Sequence, residues 1–547
     1  MKKRVTVLAA LMLSAVMGLS ACDKAKTDET VSDTKNEQQE TKKEQKGGEK
    51  ELVVAIFRDG AFDELDAASY NGPHFIYKMI YEGLTEDGGN GKIIPTLATS
   101  WDISEDGKTY TYHLREGVKF SDGSDFNAEV AAMNLNRWSN NDRYSSLSSC
   151  YMDQIEAVDE TTLKVTYAEA AYPILIEQSY PRPNRFLSPN SLAEDGSFEK
   201  PIGTGPWMLE SYEKDIEFTL VPNPYYWGEK PKLDRIRFKV ITDAQARVLA
   251  LQSGEVDIIG GDLMGKISME SLNELKENPD IDVYTSGTLC SHYITFNQNK
   301  EMFQDANVRK AFSYAIDKRA IAEDLFDNNG LEAKGMFQEG VPYTTVENNY
   351  SFPYDVEKAN QLLEEAGYVD ADGNGIREKD GQEMNLKLVY SPEEFPEWKP
   401  LAEFLQMQYA QVGVNLSLTP LDKNGYSSVD TETRDFDLLM KRTSSDSWIP
   451  HSTLKELFVP YAERDFALVW TDEDLISQIH DVMITQNEEE RQKQYDEIFT
   501  FISENALTVP IYYPITSFAV NPARVADFEI GVNNYAPVEW QKLDVAE

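Results

Sequence analysis

The stretch from Pro201 to Ile259 constrains this chain more than any other. Gly203, Gly205 and Pro206 set a tight backbone path ahead of a strand. Pro222, Pro224, Gly228 and Pro231 then break the chain in a loop rich in Tyr225, Tyr226 and Trp227. Over Asp234–Val240 the apolar Ile236, Phe238 and Val240 alternate with Arg235, Arg237 and Lys239, the period of a half-buried strand. Asp243 is placed to cap a helix running through Gln252, Gly254 stops it, and a further strand ends at Ile259. The segment therefore reads turn, strand, turn, strand, helix, strand, which is a scaffold rather than a catalytic centre.

The same alternation continues on both sides. LVVAIF from Leu52 reads as a buried strand. Ser104–Gly107 turns into a strand over Thr109–Leu114, SDGSDFNAEVAAMNLNRW follows as turn then helix, and Leu163, Val165 and Tyr167 mark another strand. Asn307–Phe326 is amphipathic, with Val308, Phe312, Ala315 and Ile316 on one face. Asp355–Ala366 predicts a helix ended by Gly367. Strands over Leu386–Tyr390 and Val414–Leu418 flank a helix over Leu401–Gln411; Phe436–Met440 is a further apolar strand, and Leu507–Ala519 is mostly apolar. Strands alternating with helices predict an α/β fold, and 547 residues suffice for several cores.

The N-terminus reads as an address. Lys2, Lys3 and Arg4 precede an apolar Val5–Met17, too short for a comfortable membrane span, and Leu19-Ser20-Ala21-Cys22 resembles a bacterial lipobox in which Cys22 is lipidated. Asp23–Lys50 has Val31 as its only large apolar residue and cannot offset its own ordering entropy. As a coil of ~28 residues it spans about 30 Å, enough to hold a folded body off a membrane. The formal net charge of −42 argues against nucleic acid and anionic membrane surfaces as partners. Cys150 and Cys290 lack metal or redox spacing and read as buried free thiols.

No HExxH, GxSxG, Walker loop or GxGxxG occurs, and there are only five histidines, so the residues favour a binder over an enzyme. The chain closely resembles the peptide/nickel class, family 5, of solute-binding proteins that feed ABC importers. The residues that carry this are Trp101–Glu129, the Pro201–Ile259 segment and NVRKAFSYAIDK (Asn307–Lys318). YPRPNRF (Tyr180–Phe186), GTGPW (Gly203–Trp207), YYWGEKP (Tyr225–Pro231) and KRTSSDSWIPH (Lys441–His451) lean to its nickel and metallophore branch. The resemblance implies a two-lobe periplasmic-binding-protein-like fold (type II, cluster C). On it, residues 1–22 are a lipoprotein signal peptide and 23–50 a disordered tether. Lobe I covers 51–289 and 512–547 with an extra subdomain at about 95–200, and lobe II covers 290–511. Two hinge crossovers fall near Thr288–Ile294 and Thr508–Ile515.

The implied role is a monomeric, extracytoplasmic lipoprotein of the bacterial cell membrane that captures a small-molecule metal chelate or a peptide and passes it to ABC permease subunits. No intrinsic cofactor is expected; nickel or a similar transition metal enters as part of the cargo. By the resemblance, Arg143, Arg182 and Arg442 meet ligand carboxylates, for which a guanidinium fork is suited; Arg185 is a weaker candidate. Tyr70, Trp448 and Tyr461 are candidate cleft walls. His74 is the best metal-ligand candidate and His451 a lesser one, since imidazole suits nickel, copper and zinc. The chain departs from some nickel binders of the branch in placing Ala462 where they carry a histidine, and Ser444 and Ser146 where they carry tryptophan. Asp370, Asp372, Asn374 and Gly375 start like a calcium loop, but Gly381 stands where its bidentate glutamate belongs, so a surface hairpin is the expectation.

Overall fold

The computed structural model describes residues 49–69, 72–89, 91–141, 144, 148–181, 184–443, 450–461 and 464–546. Residues 1–48, with the signal peptide and its Cys22 and most of the tether, and Tyr70, Arg143, Ser146, Arg182, Ser444, Trp448 and Ala462 lie outside them; the last two tether residues are described, and Lys50 belongs to the folded body, paired with Asp544 at 2.8 Å.

The architecture is α/β with two lobes joined along one shared strand. Thr508–Val520 is 13 residues long, and the sheet changes partners along it. Its first part pairs antiparallel with His292–Phe296, beyond which lie Leu438–Arg442, Asn385–Tyr390 and Asn415–Pro420. Its second part pairs with Asp282–Gly287 and Ile258–Gly260, and beyond Ile258–Gly260 lie Glu51–Ile56, Arg235–Val240, Glu217–Pro222 and Trp207–Glu213. The change of partners is fixed at Pro514, which has no N–H to give a ladder. Its carbonyl accepts from the backbone N–H of Thr288 at 3.2 Å and from the Thr288 hydroxyl at 3.0 Å.

The opening segment folds as its pattern dictates. Ile236 and Phe238 are fully buried in Arg235–Val240, and that strand runs parallel to Glu51–Ile56. The Asp243 side chain accepts from Ala246 N–H to cap the helix Ala244–Gln252, and Gly254 takes φ of 75°. Ile258–Gly260 then flanks Glu51–Ile56 on its other side, also parallel. A separate four-stranded antiparallel sheet, in the order Ala98–Ile103, Thr109–Leu114, Thr162–Tyr167, Met152–Ala157, has its own core around Tyr110, Tyr112, Leu163 and Val165.

Two segments differ from their sequence pattern. The amphipathic Asn307–Phe326 is divided: Ala306–Tyr314 ends, and a new turn begins at Lys318 because the Asp317 carboxylate caps the Ala320 N–H at 3.0 Å. The strand expected over Phe436–Met440 runs instead over Leu438–Arg442, since the Phe436 carbonyl is taken by the Asn297 side-chain amide. Arg442 is thereby the last residue of a strand rather than part of the loop after it. Among the described residues, Cys150 and Cys290 are buried and form no disulfide, and no helix is long and apolar enough to cross a membrane.

Candidate functional site

Three adjacent strands bring Arg442, His292 and Tyr512 side by side at the junction of the lobes, with His292 opposite both of the others. His292 is fully buried. The Trp398 indole donates to its Nδ1 at 2.7 Å, which assigns the ring proton to Nε2. Burial first, then the positive charge of Lys266 and Arg442, hold this imidazole well below its ordinary pKa, so it is neutral. With one nitrogen occupied and the other protonated, His292 positions the floor and presents no lone pair to a metal.

Above that floor sits a charge cluster drawn from both lobes. Gly260 and Gly261, at φ of 115° and 84°, turn the chain sharply after its strand and aim Asp262 at the junction. Asp262 lies 3.1 Å from Lys266 and 3.6 Å from Arg442, and the Asn534 amide donates to it at 3.4 Å. Lys266 is also 3.7 Å from Glu397, whose carboxylate accepts from the Tyr512 hydroxyl at 3.4 Å. Burial would raise the Asp262 carboxyl, but Lys266 and Arg442 outweigh it and hold it down to about 2. Phe395 faces both cations, with Arg442 at 5.2 Å and Lys266 at 5.6 Å from its ring centre. Arg442–Asp262 and Lys266–Glu397 are therefore ion pairs that span the two lobes. A cavity of about 520 Å³ opens beside them, lined in part by Asp262, Lys266, Glu397 and Tyr512; His74, Arg442 and Tyr535 do not line it.

His74 reaches this region from the first lobe. It opens the helix His74–Ile80, and its ring lies 4.6 Å from that of Tyr535. Tyr535 follows Asn534, which holds Asp262, so His74 and Arg442 are linked through Tyr535, Asn534 and Asp262. Sequence reasoning missed Asp262, Lys266, Glu397 and the Asn534–Tyr535 turn. The one signal available was the Gly260-Gly261 pair directly after an apolar strand.

The other candidates lie elsewhere. His451 is 1% exposed, with Nε2 3.4 Å from Glu177 and no hydrogen bond between them. Tyr461 is half-buried with the Arg464 guanidinium 5.1 Å from its ring centre. Arg185 is 1% exposed and spends its fork on Glu86 and on the Ser179 and Pro181 carbonyls, so it is structural. Asp370, Asp372 and Glu378 cluster on the hairpin Glu378–Lys379/Gln382–Glu383, where Asp370 already accepts from the N–H groups of Gly373 and Gly375.

Residues of the motifs GTGPW and YYWGEKP, together with Arg185, converge on the foot of the His74 helix. A Cβ on Gly203 would lie 1.9 Å from the Ile80 carbonyl oxygen, and one on Gly205 2.7 Å from it. The Trp227 indole donates to Glu82 at 2.9 Å, and Arg115 stacks 3.8 Å from the Trp227 ring centre. Glu86 binds Lys78 at 2.6 Å and pairs with Arg185. Glu82 is 5% exposed, and burial pushes its carboxyl up to about 7.

Residues 92–463 match the model of the bacterial extracellular solute-binding proteins, family 5, middle region. The chain belongs to this family. The nickel-binding periplasmic protein of Escherichia coli K12 is 33% identical over 474 residues, 85% of this chain and 88% of that protein. The glutathione-binding protein GsiB of Salmonella typhimurium is 30% identical over 381 residues, 68% of this chain and 70% of that one. The crystal structure of NikA from Brucella suis in complex with Fe(III)-EDTA superposes with a TM-score of 0.84 at 28% identity, covering 91% of this chain and all of that one. The two-lobe arrangement is thus that of a family 5 solute-binding protein.

Proposed function

We propose that this ABC-transporter solute-binding protein captures a nickel or other transition-metal chelate between its lobes and delivers it to the permease, tethered to the membrane through a lipid on Cys22. The observation that carries the reading is the junction itself. Arg442 meets Asp262 across the lobes, and the same network reaches the imidazole of His74 through Tyr535. A carboxylate-bearing chelate offers oxygens to arginine and an open coordination position to a histidine. The nickel-binding relative supports the same cargo.

The mechanism is closure. The lobes share Thr508–Val520 and the Thr288–Pro514 crossing, and ligand favours the closed state by the contacts it makes with both sides. Arg143 and Arg182 are proposed to join Arg442 on the cargo carboxylates. Truncating one member of a buried charge pair costs roughly 2–5 kcal/mol. At about 1.4 kcal/mol per decade, alanine at any of the three lowers affinity thirty- to several-thousand-fold. Lysine also weakens binding, because an ammonium lacks the planar fork.

Calorimetry with nickel alone, with nickel plus histidine, and with an opine-type metallophore tests this. The chelates bind tightly and bare nickel weakly; tight bare-nickel binding, unaffected by the arginine changes, overturns the reading. The glutathione-binding relatives favour a second reading, a short peptide as cargo. Tight binding of reduced glutathione with no response to nickel chelates would establish that one instead.

A further inference from the structure

The lobes touch at a second place, built from elements that take no part in the shared strand. Tyr172 follows the strand Thr162–Tyr167 of the four-stranded sheet and projects into the helices of the second lobe. Its hydroxyl is 2.5 Å from that of Tyr495, and its backbone N–H donates to the Met483 carbonyl at 3.0 Å. The socket is preformed: Tyr343 and Tyr495 stack at 4.5 Å and 11°, and Arg491 donates to the Tyr343 hydroxyl at 2.9 Å. The Arg491 guanidinium also lies 4.2 Å from the Tyr172 ring centre. Beside it, the Lys455 ammonium donates to the Ser148 carbonyl at 3.1 Å, and His451 stands 3.4 Å from Glu177, whose carboxylate accepts from both N–H and hydroxyl of Ser149.

The contacts of Tyr172 with Met483, Arg491 and Tyr495, of Ser148 with Lys455 and of Glu177 with His451 join residues 148–177 to residues 451–495, and an opening rotation of the lobes about the Thr288–Pro514 crossing separates them. None touches the Asp262–Arg442 junction. They combine hydrogen bonds with the packing of a half-buried Tyr172 ring against Tyr343 and Tyr495, and the hydrogen bonds are exchanged for water on opening at small net cost, which suits an equilibrium held near balance.

We propose that Tyr172, seated in the socket of Tyr343, Arg491 and Tyr495, is a clasp that sets the balance between open and closed lobes and so the time for which cargo is retained. It rests on the closure mechanism above, but not on the identity of the cargo. Tyr172 is a positioning residue: it acts on affinity through the lobes. A protein with this clasp releases cargo more slowly than its cleft contacts alone dictate. The permease is then a partner that must pull Tyr172 from its socket.

The test uses the full chain, with Tyr172→Ala and Tyr495→Phe, in two measurements. Small-angle scattering without cargo reads the lobes directly, and Tyr172→Ala shows a larger radius of gyration than wild type. Stopped-flow with nickel(II) plus L-histidine as probe shows release about 2- to 10-fold faster in Tyr495→Phe, the loss of one hydrogen bond, with association unchanged. Equal scattering of wild type and Tyr172→Ala, together with wild-type release from Tyr495→Phe, overturns the clasp. If the probe fails to bind wild type while Tyr172→Ala still expands, the cargo reading fails and the clasp stands. If Tyr172→Ala does not fold, scattering of Tyr495→Phe decides: expansion supports the clasp and a wild-type radius overturns it.

Discussion

Glu82→Gln removes a titration that the fold itself creates. The carboxyl is buried under the His74 helix, accepts from the Trp227 indole, and burial moves its pKa from 4.5 to about 7. The unfolded chain ionises it near its ordinary value, so between the two the folded state holds the extra proton. Its contribution is therefore fully present below pH 4.5 and is lost as pH rises through about 7. A shift of about 2.5 units at 1.36 kcal/mol each corresponds to on the order of 3 kcal/mol above pH 8. Glutamine has similar size, still accepts from Trp227, and carries no charge to bury. In urea the slope exceeds the roughly 3 kcal/mol per molar of a small protein because this folded body is larger, so the gap between wild-type and Glu82→Gln midpoints shifts by on the order of half a molar from pH 4.5 to pH 8, in favour of the variant. Parallel midpoint profiles over that range would refute the buried-carboxyl argument.

Gly203→Ala places a methyl 1.9 Å from a backbone carbonyl that no rotamer can vacate. Denaturant unfolding should show a loss of about 1–3 kcal/mol or more, together with weaker cargo binding as the His74 helix shifts; wild-type values for both would contradict the close approach. Cys22→Ala should abolish lipidation and leave precursor or shed protein, and persistent fatty-acid labelling of that variant would refute the anchor. His74→Ala and Arg442→Ala should separate by calorimetry: the first lowers affinity for the metal-loaded chelator more than for the metal-free chelator, and the second lowers both. Equal behaviour of the two variants would remove the division of labour between histidine and arginine.

The scaffold was legible because its signals are local. Alternation in Arg235–Val240, the Asp243 cap and the Gly254 stop each act within a few residues, and the strand–helix–strand unit follows from them. The Asn307–Phe326 break was not, because the apolar face continues through it while the Asp317 cap competes only once Gln408 takes the Asp317 N–H at 2.6 Å. The cleft was legible in part. Arg442 and His74 do reach one network, but Asp262, Glu397 and Tyr535 come from loops far apart in sequence, and only the shared strand brings them together. Arg185, the weaker candidate, is the opposite case. It sits in a motif tied to cargo, yet its charge is consumed beneath the His74 helix by Glu86 and the Ser179 carbonyl.

Native mass spectrometry of the protein purified from its own cell envelope, without chelating agents, tests the cargo most directly. The account predicts a non-covalent adduct that contains one transition-metal ion and an organic chelator, lost together on activation. An adduct of bare metal, or of a metal-free peptide, would contradict it.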